Sequence, residues 1–185
     1  MKYYHLKVAG LERDLPLCPL SDSLYIGAFV ILGDPELSRA CARALLEVSP
    51  EYDYLITAEA KGIPLGHDMA EIHGDKKYFV ARKGKKLYMT GVFECEVHSI
   101  TTAKRQTLYL DAADAEMMRG KRILIVDDVV STGESCDALV KLVKAAGGEI
   151  AGIVTILAEG DAAKRKDIVY LEKLPLFDKD GNPID

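Results

Sequence analysis

The chain has 185 residues, of which 49% are hydrophobic and 29% charged, and its formal net charge at pH 7 is -5. This length and composition predict one globular domain with a sizeable core and argue against a second full domain. The acidic balance argues against nucleic acid or an anionic membrane as a partner, because those surfaces select basic proteins. The four cysteines are scattered without a CxxC pair, and no segment resembles a leader or a membrane span, so we expect a reduced, cytoplasmic protein.

The first part of the chain predicts a small cap followed by alternating helices and strands. Residues 1–33 are rich in Pro, Gly and Tyr and are expected to lie outside the main sheet. The sequence "DPELSRACARALLEV" (34–48) predicts a helix, because Asp is a favoured N-cap and Pro a favoured first residue. The run "YLITA" (54–58) predicts a strand, residues 62–72 a shorter helix, and "YFVA" (78–81) a second strand.

Residues 83–110 interrupt this alternation. The basic run "RKGKK" opens the segment, and polar, β-favouring sequence follows it, which predicts a long hairpin or arm with a flexible loop. Beyond the arm, "ILIV" (123–126) and "IAGIVTILA" (150–158) predict two more strands, separated by a helix over 133–146. Strands without polar alternation suit a sheet covered on both faces, so we expect an α/β fold with a parallel sheet flanked by helices. Residues 178–185 are expected to form a solvated tail.

The segment "ILIVDDVVSTGES" (123–135) carries the main functional signal. Asp127 and Asp128 follow a predicted strand of a parallel sheet, and ligands bind where such strands end. The "STGES" that follows can bring backbone N–H groups together at a helix N-terminus, which holds a phosphate without any lysine. Ser131 and Glu134 could instead form only a capping box, S-x-x-E. Capping alone does not explain two adjacent carboxylates, whose mutual repulsion disfavours ionising both.

Two other interpretations of "ILIVDD" fail on their context. The magnesium aspartate of a P-loop ATPase requires a GxxxxGK[ST] motif, which the sequence lacks. A phosphorelay receiver domain requires more chain after Asp128 than is present to complete its sheet.

The segment "ILIVDDVVSTGES" resembles the ribose-phosphate signature of the type I phosphoribosyltransferases, which transfer phosphoribose from PRPP to a nitrogenous base with magnesium. In addition, "EAKGIPLG" (59–66) resembles the pyrophosphate-binding loop of that family, and "ARKGKK" (81–86) resembles the basic strand end before its catalytic loop. The resemblance spans residues 53 to about 177 in the family's order. It implies the type I phosphoribosyltransferase fold, with a base-binding cap (1–33), a core (34–177), a flexible catalytic arm (83–110) and a homodimeric state.

The resemblance also implies roles for matching residues. Asp127 and Asp128 would accept hydrogen bonds from the ribose hydroxyls, or hold Mg²⁺ through water or PRPP, and steady the charge that grows on the sugar. The implied catalytic set is Asp127, Asp128, Lys83 and Lys104. The implied 5′-phosphate site is Ser131, Thr132, Gly133, Glu134 and Ser135. The implied pyrophosphate site is Glu59, Ala60, Lys61, Gly62, Arg82, Lys83 and Arg105.

The resemblance also implies a lid over the site and contacts to the base. Lys104 and Arg105 would close over the site, because an oxocarbenium-like sugar must be shielded from water. Tyr25 is predicted to stack on the base, and Leu157 to lie at the floor of the base pocket.

The acceptor base is predicted from departures within the family. Hypoxanthine-guanine enzymes place an Asp where this chain has Ser131, whereas "ILGDP" (31–35) resembles the cap segment of adenine enzymes. The arm sequence "EVHSITTAKRQTLYL" resembles that of xanthine and archaeal hypoxanthine-guanine enzymes. We therefore expect a purine phosphoribosyltransferase of purine salvage, with adenine favoured. Xanthine, hypoxanthine/guanine or orotate as acceptor, and a noncatalytic PRPP-sensing regulator, stay open as alternatives.

Overall fold

A computed structural model describes residues 2–98 and 105–184, without the side chains of residues 96–98, 105 and 106. The elements in chain order are β1 (Tyr3–Val8), β2 (Leu11–Pro19), β3 (Tyr25–Gly27), α1 (Pro35–Val48), β4 (Tyr54–Ala58), α2 (Gly62–His73), β5 (Phe79–Ala81), β6 (Val92–His98), β7 (Arg105–Asp111), α3 (Ala112–Met118), β8 (Arg122–Val130), α4 (Glu134–Ala145), β9 (Glu149–Glu159), a 3-10 helix (Gly160–Lys164), β10 (Val169–Leu174) and β11 (Leu176–Phe177).

The main sheet has the strand order β10-β9-β8-β4-β5, and every neighbouring pair is parallel. Its central strands are buried on both faces. Ile125 belongs to one core cluster, which contains α4 residues such as Leu139, and Val126 belongs to the other, which contains α1 residues such as Leu45. The predicted parallel sheet flanked by helices is therefore confirmed. Because the strands are parallel, the segments that follow β4, β5 and β8 lie at the same edge of the sheet.

The sequence patterns did not predict β10 or α3. Strand β10 lies at the edge of the sheet, and most of its residues are half-buried or exposed, so it lacks the continuous apolar run of the central strands. Helix α3 has seven residues, too few for a helical repeat to stand out.

The cap is an antiparallel sheet with the strand order β1-β2-β3-β11. Residues 1–33 supply its first three strands, and β11 joins it by pairing Leu176 with Ile26. The cap is thus completed by residues 176–177, which the sequence boundary of 34–177 assigned to the core. After β11 the tail folds back, and Ile184 N donates to Leu176 O at 3.0 Å. Local sequence could not predict the pairing of β3 with β11, because these two strands lie near opposite ends of the chain.

The predicted arm contains a hairpin in which β6 pairs antiparallel with β7 from Val92 opposite Asp111 to His98 opposite Arg105. Its base is anchored in the core, since Leu108 and Leu110 are each 1% exposed. A backbone bridge between Arg82 and Tyr109 joins the hairpin to the chain that leaves β5. Residues 99–104, including Lys104, lie outside the described residues.

Among the helices of residues 2–98 and 105–184, none combines the length and the apolar content that crossing a bilayer requires.

Candidate active site

A cleft of about 320 Å³ lies where β4 and β8 end. It brings together three segments that the sequence singled out: the turn after β4, the start of the arm and the end of β8. The lining residues are Ala58, Glu59, Ala60, Lys61, Gly62, Lys83, Asp127, Asp128, Val129 and Ser135. Residues that are far apart in sequence therefore share one polar cavity.

The acidic pair lies on the wall of this cleft, near the end of β8. Asp127 is 9% exposed and Asp128 is 4% exposed. Asp127 Oδ1 accepts a hydrogen bond from the backbone N–H of Asp128 at 2.9 Å, which fixes the first carboxylate against the strand. Burial, and then the charge of Asp128, raise the pKa of Asp127 to about 7. The pair is therefore poised to gain a cation or hydrogen-bond donors, either of which would offset its repulsion.

Lys61 provides one such positive charge. Its Nζ lies 2.8 Å from Asp128 Oδ2 and 3.5 Å from the backbone oxygen of Phe29 in the cap. The same Asp128 oxygen is buried and accepts no hydrogen bond from the described residues, so its contact with Lys61 is ionic. Although its side chain is partly exposed, Lys61 joins the turn after β4 to the acidic pair.

The turn after β4 is packed tightly against the strand. The peptide bond between Glu59 and Ala60 is cis. Helix α2 begins at Gly62 without a side-chain cap. A methyl group added at Gly62 would lie 2.1 Å from Thr57 Oγ1, so a larger residue there would force Thr57 to shift. The backbone N–H groups at the start of α2 therefore lie beside the cleft, where they can bind an anion.

Glu59 gathers the basic residues that follow β5. Its carboxylate accepts a hydrogen bond from Lys83 N at 3.0 Å and pairs with Arg82 Nη2 at 3.0 Å and Lys86 Nζ at 3.8 Å. The hydrogen bond from Lys83 N, followed by the nearby charges of Arg82 and Lys86, lowers the pKa of Glu59. Lys86 belongs to the "RKGKK" run but was not among the predicted site residues. The turn after β4 and the basic run thus form one cluster.

The predicted phosphate cradle is the turn at residues 131–133 together with the first residues of α4. Gly133 has a φ of +83°, in the left-handed region that favours glycine, and it is the N-cap of α4. The N-cap glycine has no side chain that could cap the helix, and Ser131 does not occupy the N-cap position that a capping box with Glu134 requires. The contact between Glu134 N and Thr132 Oγ1 is long, at 3.5 Å. A helix start without a side-chain cap, next to a cleft, suits an anionic ligand.

The remaining predicted residues lie elsewhere. Lys104 is outside the described residues, and Arg105 begins β7 with its side chain outside the description. Tyr25 lies in β3 of the cap, half-buried, and Leu157 lies in β9 opposite Val129 with no exposed surface. Neither Tyr25 nor Leu157 lines the cleft, so their role in base binding stays a prediction.

The donor set of the cleft fits Mg²⁺, which prefers oxygen ligands and keeps several waters. Asp127 and Asp128 offer adjacent carboxylates, and the buried Asp128 Oδ2 lacks a hydrogen bond from the described residues. In the described part of the chain, no group of three or more His, Cys, Asp or Glu residues could hold a metal by itself. A cation would therefore be shared between the aspartates, water and the oxygen atoms of a ligand.

Comparisons with known proteins found a family model, relatives in sequence and a similar fold. The model of the family described as "Phosphoribosyl transferase domain" matches residues 31–182. The hypoxanthine/guanine phosphoribosyltransferase of Methanotorris igneus is 36% identical over 163 residues, covering 83% of this chain and 85% of that protein. The adenine phosphoribosyltransferase of Acetivibrio thermocellus is 32% identical over 145 residues, covering 77% and 81%. A crystal structure of adenine phosphoribosyltransferase from Thermoanaerobacter pseudethanolicus matches with a TM-score of 0.68 at 21% identity, covering 86% of this chain and 95% of that one. This last match confirms the predicted fold.

Proposed function

The chain belongs to the phosphoribosyl transferase domain family, and we propose that it transfers the 5-phosphoribosyl group of PRPP to a purine base, releasing pyrophosphate, in purine salvage. The observation that carries this proposal is the position of the acidic pair. Asp127 and Asp128 share one cleft with Ser135 of the predicted phosphate cradle and with Lys61 and Lys83 of the basic cluster. The ligand best matched to that arrangement has vicinal hydroxyls between a phosphate and a pyrophosphate.

The reaction breaks the bond from C1′ of the ribose to a pyrophosphate oxygen and forms a bond from C1′ to a ring nitrogen of the base, and the proton of that nitrogen is released to solvent or to the departing pyrophosphate. Positive charge grows on the sugar as the first bond lengthens. Asp127 and Asp128 face the ribose and stabilise that charge, acting in a partly buried site where electrostatic interactions are strong. Arg82, Lys83 and Lys61 bind the leaving pyrophosphate and offset its charge.

Magnesium, when bound, would neutralise pyrophosphate oxygens and orient them relative to the sugar. Asp127 and Asp128 would hold it through water or through PRPP. Lys104 and Arg105 of the arm would close over the reacting atoms and keep water away from the sugar. The roles of Lys104 and Arg105 are those that the family resemblance implies.

Adenine is the acceptor that we favour, because Ser131 stands where hypoxanthine-guanine enzymes place an aspartate. A second candidate is hypoxanthine or guanine, which is supported by the name of the 36% identical relative from Methanotorris igneus. The 32% identical relative from Acetivibrio thermocellus is named for adenine. The homodimer and the cytoplasmic location stay predictions, and light scattering coupled to size-exclusion chromatography tests the first.

One assay tests the proposal. The protein is incubated with PRPP, Mg²⁺ and, separately, adenine, hypoxanthine, guanine, xanthine and orotate, and the release of pyrophosphate and the nucleotide formed are measured. Turnover with a purine supports the proposal, and the ratio of kcat/KM values identifies the acceptor. Turnover with orotate alone would contradict it. Binding of PRPP without turnover on any base would favour a regulator. Addition of EDTA should abolish turnover, and excess Mg²⁺ should restore it.

A further inference from the structure

Arg165, which no motif singled out, packs against the phosphate cradle. It follows the 3-10 helix and precedes β10, and its side chain is 24% exposed. A methyl group added at Gly133 would lie 2.0 Å from Arg165 Nη1 and 3.3 Å from Arg165 Cζ. The guanidinium therefore fills the space that a side chain at residue 133 would occupy.

Two aspartates hold this guanidinium in place. Arg165 Nε and Nη2 donate to the carboxylate of Asp167 at 3.0 and 2.7 Å, and Nη2 also donates to Asp137 Oδ1 at 3.1 Å. Nη1, the nitrogen nearest Gly133, donates to none of the described residues. A guanidinium held through two of its nitrogens has little freedom to turn away, so its position beside the cradle is fixed.

The charge of Arg165 matters because the first turn of α4 is acidic. Glu134 and Asp137 both lie in that turn. Acidic side chains there stabilise the helix, but they repel a phosphate that approaches the same amides. Arg165 bonds to one of these acids directly, and a guanidinium stays charged at any pH the protein meets. It therefore offsets the negative charge at the place where the cradle must accept an anion.

We propose that Arg165 is a positioning residue for the 5′-phosphate: it braces the turn at Gly133 and cancels the charge of Asp137, so that the amides of the cradle can bind a phosphate. This inference rests on the proposed function, since it takes the cradle to be the 5′-phosphate site. It adds a cationic residue to a cradle that the sequence alone predicted to work through backbone amides and hydroxyl groups.

The test compares Arg165→Gln, Arg165→Lys and a control, Arg119→Gln. Arg119 also pairs with a carboxylate, that of Glu116, but it lies on the surface and its side chain is 68% exposed. Calorimetry measures the Kd of ribose 5-phosphate and of inorganic pyrophosphate, and steady-state kinetics with the best acceptor base gives kcat and the KM for PRPP.

For Arg165→Gln we expect the Kd of ribose 5-phosphate and the KM for PRPP to rise about 10-fold, as for the loss of one charge-assisted interaction. The Kd of pyrophosphate and kcat should stay within about twofold, because the basic cluster at Glu59 is untouched. Arg165→Lys keeps the charge without the fork and should lie between glutamine and wild type. Arg119→Gln should match wild type.

An unchanged Kd of ribose 5-phosphate in folded Arg165→Gln would overturn the inference, as would equal weakening of ribose 5-phosphate and pyrophosphate. If Arg165→Gln does not fold, Asp167→Asn replaces it, because it keeps the guanidinium but weakens its hold. A rise of about threefold in the Kd of ribose 5-phosphate is then expected, and no rise overturns the inference. Failure of the proposed function would look different, since wild type itself would then turn over none of the bases.

Discussion

Lys61, in the turn after β4, lies 2.8 Å from Asp128 near the end of β8, so the predicted pyrophosphate turn and the predicted ribose site are joined by an ion pair. The lysine is 43% exposed along its side chain, whereas the side chain of Asp128 is 5% exposed. When a ribose hydroxyl or a cation binds Asp128, Lys61 can swing to a neighbouring anion at little cost, because its side chain is long and partly solvated. The ion pair thus links the two halves of the cleft that the proposed function assigns to one ligand.

Replacing Asp128 with Asn tests the electrostatic role of the pair. We expect kcat to fall by about 100-fold or more, because the amide cannot stabilise positive charge on the sugar, while the unfolding midpoint changes little. Steady-state kinetics and thermal unfolding measure the two effects. Asp53→Asn is the matched control: Asp53 precedes β4, at the sheet edge opposite the cleft, and pairs with Arg122. Near-normal kcat in Asp128→Asn would contradict the role assigned to the pair.

Replacing Lys61 with Met tests its part in holding pyrophosphate. We expect the KM for PRPP and the Kd of pyrophosphate to rise about 10-fold, because a charge-assisted contact is lost. The Kd of ribose 5-phosphate should change less, since the polar partners of Lys61 in the described part of the chain are Asp128 and the backbone of Phe29, and not the turn at residues 131–133. Lys141→Met, on an exposed position of α4, is the control and should behave as wild type. Equal losses in ribose 5-phosphate and pyrophosphate binding would instead indicate a general disturbance of the cleft.

The raised pKa of Asp127 predicts a specific dependence of stability on pH. Between the ordinary value of 3.8 and the folded value of about 7, the folded protein keeps a proton that the unfolded chain has released. The free energy of unfolding attributable to this group therefore falls as pH rises through that window, and the penalty is fully present above it. Asp127→Asn removes this penalty. The stability advantage of the variant over wild type should therefore grow by roughly 1–3 kcal/mol as the pH rises from 4 to 8.

Asp53→Asn should change the free energy of unfolding in the opposite direction. Hydrogen bonds from Arg122 lower the pKa of Asp53, so this carboxylate stabilises the fold at neutral pH, and its contribution is lost as pH falls through the folded pKa. The asparagine variant should therefore be less stable than wild type at pH 8, with the difference shrinking in acid. Denaturant unfolding at several pH values provides the data, and parallel curves for Asp127→Asn and wild type would refute the burial argument.

Gly62 and Thr57 should be energetically coupled. Gly62→Ala places a methyl group 2.1 Å from Thr57 Oγ1, so we expect a loss of about 1–3 kcal/mol of stability from overpacking. Thr57→Ala removes a buried hydroxyl that has no partner among the described residues, and it makes room for that methyl group. The double variant should therefore recover much of the loss, a coupling that a double-mutant cycle measures. Gly84→Ala, which meets no atom within 4 Å, is the control, and additive losses at Gly62 and Thr57 would disprove the contact.

Much of the fold was predictable because its signals are local. The apolar runs at 54–58, 123–126 and 150–158 lie within β4, β8 and β9, as predicted, although β8 continues through Asp127 and Asp128 to Val130. Helix α1 begins with Asp34 accepting a hydrogen bond from Leu37 N, as its sequence indicates. The family was predictable for the same reason, since "ILIVDDVVSTGES" places its functional groups within one strand, turn and helix. The edge strand β10 and the short helix α3 were missed, because their burial is partial or their length small.

By itself, the sequence determined the parallel α/β architecture and the family, and it predicted the order of the binding loops, because apolar periodicity and a contiguous motif do not depend on distant contacts. Tertiary structure alone decided that Lys61 pairs with Asp128, that Glu59 gathers Arg82 and Lys86, and that Arg165 packs on Gly133. It also decided that β11 completes the cap. Each of these contacts joins residues that are far apart in the chain, so no local sequence pattern predicts it. Charge pairing and packing fix them only once the strands have brought their carboxyl ends to one edge.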